Sequence, residues 1–175
     1  FADVSERLEE LTKNPIEIVG IPTGFKRYDF AIGGGLRKGT VNVIGARPKT
    51  GKTLFAENAG IHMAKQGIPV LNLDTEMTKQ DHQDRGMAML TEIGINEIET
   101  GQFVESNYKH NKLMDMAKEI KDLPYYHKSI GGMPLPEQLS IIRRWLAREV
   151  GINDQEKANN CVIIYDYLKI MDSAE

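Results

Sequence analysis

The chain has 175 residues, 41% hydrophobic and 27% charged, ordinary globular proportions with enough length for one core. Its 22 Lys and Arg against 25 Asp and Glu leave a formal charge of −3, which excludes a polycation that coats nucleic acid or acidic lipid and confines any such contact to local patches. A single cysteine, Cys161, excludes an internal disulfide framework and fits a reducing, cytoplasmic compartment, and no stretch approaches the roughly 20 apolar residues of a membrane helix.

In chain order, "DVSERLEELTKN" carries Val4, Leu8 and Leu11 along one side behind Asp3 and Glu6 spaced as a capping box, which predicts a short amphipathic helix. "NPIEIVGIPTGF" reads as an entry loop, so residues 1–20 form a linker helix and loop ahead of a core over 21–175. "GGGL" at 33–36 and Gly39 lead into "TVNVIG" at 40–45, an apolar run predicted to be a strand buried on both faces. "KTLFAENAGIHMAKQG" has helical composition and stops at Gly67. "IPVLNLDTE" is a second strand with carboxylates at its carboxyl end, and Thr78 with Asp81 makes a capping box for a helix over "KQDHQDRGMAMLTEI".

"SNYKHNKLMDMAKEIKD" places Leu113, Met116 and Ile120 on one helical face, and "LPYYHKSI" follows as a third strand. "GGMPLPEQLSIIRRWLAREVG" puts Leu139, Ile142 and Leu146 on one stripe of a helix ending near Gly151, and "NNCVIIYDYLKIM" is the clearest buried strand. Strands alternating with helices imply right-handed crossovers and a mainly parallel sheet, an α/β layered domain.

The chemistry concentrates in "ARPKTGKT", residues 46–53. A triphosphate needs many hydrogen-bond donors and positive charge at close range, and a glycine-containing loop running into a helix amino terminus supplies both. Gly51, Lys52 and Thr53 match the end of the P-loop pattern G-x-x-x-x-G-K-[ST], while Ala46 stands in its first position. On this reading Ala46, Arg47, Pro48, Lys49, Thr50 and Gly51 cradle phosphate, Lys52 reaches the β and γ phosphates, and the Thr53 hydroxyl binds Mg²⁺ of Mg-ATP. Asp166, ending "CVIIYD", is placed to hold the magnesium, and either Glu76 or Asp74 to orient or deprotonate the attacking water, since spacing alone does not choose between them.

Together, "GIPTGFKRYDFAIGGGLRKGTVNVIGARPKTGKT", "VLNLDTEMTKQDHQDRGMAM" and "VIIYDYLKIM" resemble, in order and spacing over nearly the whole chain, the RecA-like motor domain of DnaB-type replicative DNA helicases. That resemblance implies a RecA-like P-loop NTPase fold with a mainly parallel central sheet flanked by helices. It makes Ala46 a family trait, identifies Glu76 as the catalytic carboxylate with Lys52, and matches Asp166 to the magnesium aspartate. It further implies ATP and Mg²⁺ as ligands and single-stranded DNA at a replication fork as substrate. The implied assembly is a homo-hexamer formed through the linker helix and ATP-site interfaces, with primase and helicase loader as partners and no membrane. Asp74 and Thr75 depart from the family's Ser-Leu, and Lys169 from its Gln. The family's γ-phosphate-sensing glutamine, DNA loops and arginine finger fall after the position of Glu175, so the chain by itself is expected to bind nucleotide and hydrolyse it weakly.

His62, His82, His110 and His127 show no paired ligand spacing, which gives no reason to expect a metal besides nucleotide-bound magnesium and makes them surface or structural residues. Cys161 reads as inert packing, Met87 and Met89 as filling, and Arg143, Arg144 and Arg148 as a charged helix face. The competing functions are a recombination ATPase of the RecA or RadA type and a nucleotide-binding loader without motor activity, which strand-stimulated ATP turnover distinguishes from a motor.

Overall fold

The computed structural model describes residues 3–15, 19–153 and 157–167. The elements in order are α1 (Asp3–Lys13), α2 (Lys26–Ala31), α3 (Lys52–Lys65), β1 (Val70–Asp74), α4 (Lys79–Thr91), α5 (Ile95–Thr100), a 3-10 turn (Gln102–Glu105), α6 (Asn107–Lys121), β2 (Tyr125–Ser129), α7 (Leu135–Trp145), a π turn (Leu146–Val150) and β3 (Val162–Asp166). The strands form one parallel sheet in the order β2-β1-β3, with Val70 opposite both Tyr125 and Val162, and Asp74 opposite both Ser129 and Asp166. This is the parallel α/β sheet that the alternating strands and helices imply.

Strand alternation assigns the two faces. Val70, with Tyr125, Val162 and Ile164, packs against Ala59, Met63 and Ala64 of α3. Leu71 and Leu73 point the other way, to Trp145, Ile141 and Ile142 of α7. β1 is buried at every position because it has a strand on each side and a helix on each face. Helix α3 lies very close to the sheet at Gly60, where an added Cβ would sit 2.7 Å from the Tyr125 ring and 3.0 Å from Ile164. The entry segment is tied down by buried Asp29, which accepts both backbone and hydroxyl hydrogen bonds from Thr23, and by Phe25 stacking on Phe55 of α3 with centroids 4.5 Å apart.

Two expectations need correction. Residues 40–45 form no strand: Val41 is 91% and Val43 77% exposed, and no described strand pairs with them. A β-prone sequence becomes a strand only where a neighbour takes its backbone hydrogen bonds, and among the described residues the sheet ends at β3. The buried stripe of α7 runs through Gln138 and Trp145 with Ile141 and Ile142 beside them, so Leu139 lies at the solvent edge, 41% exposed. The short helices α2 and α5 have no counterpart in the hydrophobic periodicity, being too short to show one. Lys169 lies outside the described residues.

Candidate phosphate-binding site

The loop before α3 turns twice in the left-handed region, at Lys49 (φ 64°) and at Gly51 (φ 96°), the latter being the residue that caps the helix. The Thr50 hydroxyl closes the turn by donating to the Arg47 carbonyl at 2.7 Å. Residues 46–51 are exposed at the amino terminus of a 14-residue helix, where N–H groups lack intrahelical partners and the dipole favours anions. Arg47 projects into solvent with the rest of the loop.

The first two residues of α3 meet the end of β3. The Lys52 ammonium lies 2.7 Å from Asp166 Oδ1, and the Thr53 hydroxyl donates to Asp166 Oδ2 at 2.6 Å. Lys52 also lies over the Tyr167 ring, 4.1 Å from its centroid. Both oxygens of Asp166 are thus engaged, one by a cation and one by a hydroxyl, and Thr53 and Asp166 are 113 positions apart in sequence. A hydroxyl and a carboxylate side by side are the hard oxygen donors that Mg²⁺ takes, and an ammonium beside them neutralises polyphosphate charge. The donor set fits Mg²⁺ with a phosphorylated ligand.

The end of β1 stands next to this cluster. The Thr75 amide donates to the Asp166 carbonyl at 2.9 Å, extending the β1–β3 pairing by one residue. Asp74 and Glu76, which spacing left as alternatives, are separated by the fold. Asp74 is buried, and its Oδ1 accepts hydrogen bonds from the Glu76 amide (2.7 Å) and the Met77 amide (2.8 Å). Glu76 is exposed on the turn that Asp74 organises, just beyond the strand. Thr78 then caps α4 with the reciprocal Asp81 bonds that its spacing forecasts, and these hold the Asp81 carboxyl below its usual range.

A family model described as the DnaB-like helicase C terminal domain matches residues 20–175. The chain belongs to that family. Among curated DnaB relatives, the replicative DNA helicase DnaB of Helicobacter pylori strain 26695 is 29% identical over 168 residues, covering 95% of this chain and 32% of the relative. That of Treponema pallidum is 28% identical over 170 residues, covering 97% and 36%. The Synechocystis DnaB is 26% identical over 168 residues, covering 95% and 18%, so the chain spans about a third or less of the length of these relatives. Two solved structures share the fold of this DnaB-like chain. One, an ATPase domain, has a TM-score of 0.80 at 22% identity, covering 98% of this chain and 60% of that one. The other, a DnaB-like replicative helicase described with its interactions with primase, has a TM-score of 0.72 at 21% identity, covering 98% and 41%. The RecA-like fold of this DnaB-family domain is therefore shown, and among the described residues no helix is long and apolar enough to cross a membrane.

The cluster at Asp166 is not all that the sheet end of this DnaB-family domain contains. His82 and His127 are neither at the surface nor apart: both side chains are buried, and their rings stack 4.0 Å apart on the α3 side of the sheet. Far apart in sequence, they carry no local spacing signal. Packing of α4 against β2 brings them together.

Proposed function

We propose that this chain is the ATP-hydrolysing motor domain of a replicative DNA helicase, binding Mg-ATP at residues 46–53. The observation that carries the reading is the convergence of Lys52 and Thr53 on Asp166 at the mouth of α3. Lys52 exchanges its carboxylate partner for the β and γ phosphates, while the loop amides around Gly51 take the remaining phosphate oxygens. Thr53 and Asp166 would hold the magnesium, which would supply charge neutralisation to the phosphates. Glu76, exposed on a turn pinned by Asp74, aligns and deprotonates the attacking water. Domain-level roles follow from the same reading: residues 1–20 link to a neighbour and residues 21–175 form the ATPase core. The exposed Val4 and Leu8 of α1 suit packing on an adjacent copy in a ring. Ring assembly, movement along single-stranded DNA and contact with primase and a helicase loader belong to the same proposal.

Calorimetry with Mg²⁺ and a nonhydrolysable ATP analogue tests the site. The expected result is heat of association that Lys52→Ala weakens by about 10- to 100-fold, the worth of a charge-assisted contact. Absence of binding by the folded chain, or unchanged affinity in Lys52→Ala, sinks the assignment. Stimulation of ATP turnover by single-stranded DNA in the full-length parent separates a motor from a passive nucleotide-binding scaffold.

A further inference from the structure

We propose that Asp74, His82 and His127 form a binding site for one zinc-type transition-metal cation. The site is separate from the phosphate-binding cluster and does not depend on the function proposed above. One ligand atom from each of Asp74, His82 and His127 lies within 4.8 Å of the other two. Asp74 ends β1, His82 lies in α4 and His127 in β2, so three elements converge on one point beneath the sheet. Glu57 Oε1 is 3.6 Å from His82 Nε2, and Asp74 Oδ2 is 3.7 Å from His127 Nε2, both beyond hydrogen-bond reach.

Burial makes this arrangement hard to explain as ordinary packing. The side chains of His82 and His127 are each 6% exposed and that of Asp74 3%, yet Asp74 Oδ2, His82 Nδ1 and both ring nitrogens of His127 lack hydrogen-bond partners. A buried polar atom left unpaired costs about 1 to 3 kcal/mol, and native chains keep such groups where an ion or water completes them. Beside the cluster, Gly86 of α4 faces Glu57, and an added Cβ there would sit 2.7 Å from Glu57 Oε1.

The donor chemistry selects the ion. Two imidazoles with one carboxylate suit Zn²⁺ and its neighbours, whereas Mg²⁺ and Ca²⁺ take oxygen. Zinc bonds of about 2 Å place ligand atoms about 3.3 Å apart, so binding draws the three groups inward by rotation of the imidazoles about their side-chain torsions. Asp74 gives the ion a structural consequence: Oδ1 already holds the amides of Glu76 and Met77, so a cation on Oδ2 fixes the turn that carries Glu76.

The test takes the whole chain, stripped with chelator, and titrates it with Co²⁺ alone, whose visible d–d bands report imidazole and carboxylate ligation, followed by Zn²⁺ alone. The expected result is a single equivalent of Co²⁺ with tetrahedral bands, displaced by Zn²⁺, indifferent to excess Mg²⁺ and retained in Lys52→Ala. His82→Leu and His127→Leu, which replace buried polar groups with apolar ones, are expected to lose the bands while keeping their circular dichroism. In the unaltered chain, imidazole ¹⁵N resonances of His82 and His127 should shift on Zn²⁺ addition while those of exposed His62 stay fixed, a readout that needs no variant to fold. A folded chain that shows no bands, bands that survive His127→Leu, bands lost in Lys52→Ala, or ¹⁵N shifts confined to other histidines overturn the site.

Discussion

Helix α3 serves two polar clusters one turn apart, and they differ in almost everything except location. Lys52 and Thr53, in its first turn, meet Asp166 with short contacts on both carboxylate oxygens, and the Lys52 side chain keeps 29% of its surface in water. Glu57, a turn further on, enters a buried pocket with Asp74, His82 and His127 where polar atoms stand unpaired. In the first cluster the charges neutralise each other and can exchange partners cheaply, because bulk solvent screens and replaces each lost contact. In the second, burial keeps bulk solvent from substituting, so Glu57, His82 and His127 shift toward neutrality. Burial, with Asp74 adding and Arg85 opposing, raises the Glu57 carboxyl to about 7. The lesson is that access to solvent, more than residue type, decides whether a carboxylate is a ready ligand or a source of strain.

Substitutions can break this contrast. Asp74→Ala should be the most damaging, at about 3 kcal/mol or more, because it removes a buried acceptor of two amides and the carboxylate nearest His127. Chemical denaturation measures it, and a smaller loss than in Asp166→Ala would reverse the ranking of the two clusters. Lys52→Ala should change stability by less than about 1 kcal/mol in the same assay, since its ion pair is partly exposed, while weakening nucleotide binding strongly.

Glu57 sharpens the comparison through pH. Its folded value of about 7 exceeds the ordinary value of 4.5, so its contribution to stability is full below about 4.5 and is lost as pH rises through 7. In metal-free protein, Glu57→Gln should remove that decline and raise stability at pH 8 by about 2 kcal/mol, at 1.36 kcal/mol per pKa unit discounted for relaxation. Denaturation midpoints across a pH range of about 4 to 9 check it, and parallel curves for the two proteins would show that Glu57 ionises freely. The smallest effect is expected outside both clusters: Val43→Ala should stay within about 0.5 kcal/mol because its side chain is already 77% exposed.

What could be read from the residues depended on how local the signal was. The loop, the helix it opens and the Thr78–Asp81 cap are written within a few positions of one another, and the structure forms both the helix and the cap. Three strands appear where apolar runs forecast them. The failure is instructive because "TVNVIG" and "PVLNLD" are nearly equal in composition, yet the strand within the second is buried throughout between two partners and the first lies in solvent. Composition offers a strand, and only pairing makes one. The histidine pocket was illegible for the opposite reason, since its members are scattered along the chain and only the packing of α3 and α4 on the sheet assembles them.

The near-contact of Gly60 with Tyr125 and Ile164 has a mechanical corollary. Any side chain at position 60 would have to lift α3 off the sheet, and because residues 52 and 57 belong to that same helix, its phosphate-binding tip and Glu57 would be displaced together.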